Sequence, residues 1–204
     1  MAAAMTIDEL TDLLSAWCGY GPHIEENGSR YWERRDDGAL SRWVHTVVAP
    51  YDPARLAWYL FEERSLVPSC RSAELWGSFN SLELFGCRLK TFGPRIDTVG
   101  RRPWDGTIDV LDVNLSHPRV ADRFAGFIFG EVEIGETSAL LIERSDHTVL
   151  AVEREAEAVV KEWPDADTAL RRCIARLGAA FDPAEPEALH ASWTTGRVAP
   201  SDLW

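Results

Sequence analysis

Apolar positions fall at helical spacing in the first stretch of the chain. Ile7, Leu10, Leu13, Leu14, Trp17 and Cys18 recur every three to four residues, behind a Thr6 N-cap that Glu9 completes as a capping box. Gly19 and Gly21-Pro22 stop this helix. The next stretch, to Leu40, is polar, with turn signals at Asn27-Gly28 and Asp37-Gly38 and a short strand around Tyr31 and Trp32 between them. A β-rich strand follows over 42–48. Asp52-Pro53 starts a second helix with an acidic N-cap and Pro at the first helical position. A further helix is expected over 69–78, then strands over 82–85 and 88–92. Residues 96–118 read as loop-rich, with a short helix or strand over 108–113.

The pattern changes between Phe124 and Val152, where apolar and β-branched residues come in short runs bounded by turn residues. It predicts an antiparallel meander with strands over 127–132, 138–143 and 148–152. Both faces of the second and third strands are apolar, as in the middle of a sheet packed against helices. A strand over 158–163 ends at Pro164. Asp165 or Asp167 then caps a helix striped by Leu170, Cys173, Ile174, Leu177 and Phe181, and Asp182-Pro183 terminates it. A short helix around 187–193 is expected in the tail. The fold class is α+β: a mostly antiparallel sheet with a central meander, covered by helices from the N-terminal half and the C-terminus. The expected organisation is an N-terminal helix and strands over 1–50, joined to the same domain or separate from it, an α+β domain over 51–183 and an extension over 184–204.

Composition adds bounds. With 204 residues, 46% of them hydrophobic, and nine Trp, the chain can bury a sizeable core. It shows no secretory signal and no run long enough to span a membrane, which makes a cytoplasmic bacterial protein the expectation. A net charge of −12 argues against nucleic acid and against an anionic membrane surface as partners, and would attract a cationic one. Oligomeric state is not readable. Cys18, Cys70, Cys87 and Cys173 form no Cys-x-x-Cys pair, and Cys18 and Cys173 fall on apolar helical stripes.

Chemistry is sparse. His23, His45, His117, His147 and His190 show no metal-ligand spacing, so no metal and no cofactor is expected. Asp146-His147 reads as a hairpin tip with an exposed histidine. No nucleophile elbow, Walker loop or dinucleotide fingerprint is present. Glu131 and Glu133 share one face of a strand, and Glu136 follows in the turn. Two carboxylates could serve a glycosidase, but no third feature supports catalysis, and the row reads as a solvated face or a partner contact. Arg101-Arg102 precede Pro103-Trp104-Asp105 in a loop, where Trp and Arg suit either a binding hot spot or a plug on the core.

Four stretches in order resemble a known family: SFNSLELFGCRLKTFG (78–93), RRPWDGTIDVLDVN (101–114), FIFGEVEIGETSALLIERSDHTVLAV (127–152) and DTALRRCIARLGAAFD (167–182). They are similar to the SUKH superfamily, which includes bacterial immunity proteins and a fungal regulator of cell-wall synthesis. Here Asn80-Ser81 stands where Asn-Gly is usual, and Asp146-His147-Thr148 replaces a turn with Gly. The match covers about residues 50–182. The resemblance implies an α+β fold and a binding role without catalysis. In such a protein the partner would be a basic toxin domain, neutralised by occlusion of its active surface. Trp104, Asp105, Glu131, Glu133 and Glu136 are the candidate contacts. Two other readings stand beside it: a housekeeping regulatory or scaffold module of the same fold, and a hydrolytic enzyme.

Overall fold

The computed structural model describes residues 5–15, 17, 21–36, 39–62, 71–95, 109–135 and 137–180; for 33–36 and 39–43 it describes the backbone alone. The elements, in order, are α1 (Ile7–Ser15), β1 (His23–Ile24), β2 (Arg30–Asp36), β3 (Ala39–Val48), α2 (Pro53–Glu62), α3 (Ser72–Leu75), β4 (Ser81–Leu84) and β5 (Leu89–Thr91). There follow α4 (Val110–Ser116), α5 (Pro118–Phe124), β6 (Gly126–Ile134), β7 (Thr137–Arg144), β8 (Val149–Glu153), β9 (Val159–Trp163) and α6 (Ala166–Ala180).

The strands among the described residues form one sheet of nine, ordered β1 to β9 as in the chain, with every pair antiparallel. The protein is therefore α+β, with one antiparallel sheet and flanking helices. Strands β1–β3, from the first fifty residues, join that sheet through the pairing of β3 with β4.

The helix starts follow their caps. Thr6 Oγ1 accepts from Glu9 N at 3.2 Å, and Asp52 Oδ1 accepts from Ala54 N at 3.0 Å and Arg55 N at 3.3 Å. At α6 the cap is Asp165, whose Oδ1 accepts from Thr168 N at 2.7 Å. Asp167 instead takes the Met5 backbone N–H at 2.8 Å and Arg171 Nε at 2.6 Å, while Arg171 also bonds Glu9. One arginine thus fastens α1 to α6.

One expectation is corrected: the helix over 69–78 shortens to α3, one turn long, within the described part of that range. Of the short helix or strand expected over 108–113, the helix is the form taken, as α4, which Asp109 caps by accepting from Leu111 N at 2.8 Å; α5, which Pro118 opens at its first turn, was not expected. The expected tail helix, Cys18, Cys70, and Asp37-Gly38 lie outside the described residues.

The central meander contributes a continuous part of the core. On one face, Val132 pairs with Ala139, and Gly130 pairs with Leu141. Glu143 is on that same face of β7, only 2% exposed. Its carboxylate accepts the backbone N–H of Arg71 at 2.6 Å and of Ser72 at 2.7 Å, and lies 3.0 Å from His147 Nδ1. This corrects the reading of His147 as a plain exposed tip residue. It also places α3 over this face, with α6 against α3 and β9.

The opposite face is divided. At one end Ile128, Ile142 and Leu150 are buried, α4 lies against β6, and α5 lies against β6 and β7. At the other end the residues in register are Glu83, Lys90 and Glu131. That end is open and polar.

Candidate functional site: a charged groove on the open end of the sheet

The open end exists because β6 changes its pattern midway. Through Phe127–Gly130 every residue is buried; from Glu131 to Ile134 exposure alternates, with Glu131 and Glu133 outward and Val132 and Ile134 inward. The switch sits at a β-bulge between Ile128 and Gly130. The bulge leaves Ile128 beyond the end of β5, and the Asn114 side chain of α4 fills the place of a strand. Its Oδ1 accepts from Ile128 N at 2.9 Å, and its Nδ2 donates to Ile128 O and to Val110 O, each at 2.8 Å. At Gly130 the chains come close: a Cβ there would lie 2.7 Å from Lys90 O, so only Gly fits.

Beyond the bulge, two rows of charge cross the sheet. The first is Glu83, Lys90 and Glu131. The second joins Arg88, Glu133, Ser138 and Arg154 through backbone bonds from Glu133 N to Arg88 O and from Arg154 N to Ser138 O, and through the register of Glu133 with Ser138. All of these but Glu83 line a groove of about 630 Å³, whose lining also includes Cys87, Gly135, Thr137 and Glu155.

Each predicted glutamate in the groove has an arginine beside it. Glu133 Oε2 lies 3.6 Å from Arg88 Nε, and Glu131 Oε1 lies 3.5 Å from Arg154 Nη1 while also accepting from the Ser138 hydroxyl. In each pair one side chain is well exposed, Glu133 at 44% and Arg154 at 51%. An ion pair with a well-exposed member contributes only about 0–1 kcal/mol, so an incoming charge can compete for the exposed side of each pair.

Glu83 lies beside the groove, next to Cys87 of its lining. Burial pushes the Glu83 carboxyl up, against the pull of Lys90 and of the Cys87 thiol. Burial also pushes the Cys87 thiol up, and the neighbouring Glu83 adds to it. Cys87 Sγ sits 3.8 Å from Glu83 Oε2. The raised thiol disfavours the thiolate needed for nucleophilic attack. Among the described residues, no cluster of three His, Cys, Asp or Glu side chains could hold a metal ion, and no helix is long and apolar enough to cross a membrane.

The structure brings Glu131 and Glu133 together in one groove. Trp104, Asp105 and Glu136 lie outside the described residues. Sequence reasoning missed the cations Arg88, Lys90 and Arg154. Lys90 had a readable signal, since it alternates with the buried Leu89 and Thr91. Arg154 had none: Glu153, Glu155 and Glu157 read as one alternating row, but the strand ends at Glu153 and residues 154–156 turn.

No protein-family model, curated protein or solved structure matches this chain.

Proposed function

We propose that this chain is a non-catalytic protein-binding domain of the immunity type, which neutralises a bacterial toxin by covering its basic active surface. The observation that carries this reading is the pair Glu131 and Glu133, side by side on an open groove and each paired with an arginine. A partner's Lys or Arg can replace the half-exposed Arg154 at little cost, and can join the exposed Glu133 beside Arg88. The net charge of −12 would steer a basic partner toward the molecule from beyond contact distance.

The test is a pull-down of the tagged full chain from its host, eluted in steps of rising salt, followed by titration of the captured partner with the E131Q/E133Q double variant. A cationic protein released by salt is expected, and its affinity for the double variant should fall about 10-fold or more, the range of 1.4 kcal/mol or above measured for close charge pairs across an interface. A cationic partner indifferent to the double substitution would remove the groove as its interface.

One observation favours a second reading, a regulatory or scaffold module of the same fold. The groove also presents Arg88, Lys90 and Arg154, which suits a partner with charges of both signs. A captured partner of ordinary charge that survives high salt would select this reading and overturn the first.

A further inference from the structure

His117 stands at the corner where α4 meets α5, and its two ring nitrogens face different neighbours. Nδ1 lies 3.1 Å from the Val113 carbonyl oxygen, which only accepts, so Nδ1 carries a proton. Nε2 lies 3.3 Å from Arg154 Nη2, which only donates, so Nε2 is bare in the neutral ring. The same guanidinium reaches Glu131 Oε1 through Nη1. Arg154 is therefore a bridge between His117 and the groove carboxylate.

The geometry points to His117 as a proton-sensitive positioning residue for this groove: neutral, it holds Arg154 across Glu131; protonated, it releases Arg154 and opens Glu131 to an incoming cation. Protonation at Nε2 removes the lone pair that accepts from Arg154 and sets cation against cation. The bond left to Arg154 is then the 3.5 Å contact with Glu131, whose Oε1 is already shared with the Ser138 hydroxyl. A half-exposed arginine held by one long contact gains more rotamer freedom by leaving than it loses in attraction. Other charged groups border this bridge, and Glu133, Glu155 and Arg88 line the same groove. Lys90 is the cross-strand neighbour of Glu131, and Arg123 of α5 is engaged by Glu157 from the turn that carries Arg154.

This inference names a regulation of the proposed binding site, and only its last step, admission of a cation, rests on that function. Its test needs no partner. Nitrogen-15 spectra of the full chain would report the His117 tautomer and the Arg154 guanidinium signals across the histidine range, about pH 8 to 5. At the upper end His117 is expected in the Nδ1–H form, and the Arg154 signals should shift with the midpoint of His117. In H117Q, which keeps an acceptor but does not titrate, that shift should vanish. An Nε2–H tautomer at neutral pH, or Arg154 signals that ignore the His117 midpoint, would overturn the inference while leaving the protein-binding reading untouched. Failure to capture any partner would do the reverse.

Discussion

The side chain with the clearest pH signature is His45, in the core of β3. Its Nδ1 accepts from Phe85 N at 3.2 Å, and its ring meets Phe85 edge-on at 4.9 Å between centroids. Burial lowers its pKa from 6.5 to about 3, so the folded protein keeps it neutral where the unfolded chain would protonate it. Protons bind the unfolded state more readily over that interval. The stability from neutral His45 is therefore fully present above pH 6.5 and is lost progressively as pH falls toward 3. The loss should amount to several kcal/mol, at about 1.4 kcal/mol per pH unit. Guanidinium titrations at stepped pH should show this slope in the wild type and a flatter one in H45Q, which keeps an acceptor for Phe85. An unchanged slope in H45Q would show that other groups carry it. Nothing in the sequence announced this histidine. The alternation over 42–48 predicts a strand, but which face is dry depends on Trp32 and Phe85, which only the sheet brings to it. Glu143 was legible by half. Its position beside Ala139 and Leu141 on one face of β7 follows from period two, whereas the backbone groups that neutralise its burial come from 71 and 72 residues earlier.

Among elements, sequence reading gave α4 only as a short helix or strand over 108–113, and α5 it missed. The Gly and Pro residues over 96–118 suggest loop, and both helices are only seven residues long, too short to show a periodic stripe. Their signals were terminal ones, Asp109 as N-cap and Pro118 at the first turn. By contrast, β6–β8 were readable because each run of apolar residues is bounded by turn chemistry, and the predicted strands fall within the observed ones to about a residue. What no pattern reveals is the bulge in β6 or the amide that completes it. N114A would leave both Ile128 backbone groups without their partner, at about 1–3 kcal/mol for each buried group that stays unpaired. Urea unfolding should therefore show a lower midpoint, with N114D intermediate or worse, because a carboxylate keeps the acceptor for Ile128 N but turns an oxygen toward two carbonyls. A wild-type midpoint for N114A would mean that solvent replaces the amide freely.

For the molecule as a whole, stability should be distributed from the centre outward. Strands β7 and β8 are buried along nearly their full length, whereas both residues of β1 are exposed and β9 is dry only at Trp163. Hydrogen exchange followed by mass spectrometry should find the slowest amides in β6–β8 and fast ones in β1 and β9. Equal protection across the sheet would indicate a single unfolding unit. The fold class was legible at this scale because the switch from helical to two-residue periodicity marks where sheet begins. The groove was not, since it is made by register between β5, β6 and β7, and register is set by pairings that alternation alone leaves open.

The strict agreement between strand order and chain order has a further consequence, for assembly. A chain growing from its N-terminus lays each new strand beside one already made, and no strand must be threaded between two earlier ones. Pairings between sequence neighbours cost little loop entropy, so the sheet can extend as fast as it is synthesised. The helix at the start fares differently. Arg171 and Asp167, which fasten α1, lie 162 residues downstream of Glu9 and Met5. While the ribosome is still at work, α1 can already meet Arg30 and Trp32 of β2, but its ties to Asp167 and Arg171 must wait for α6.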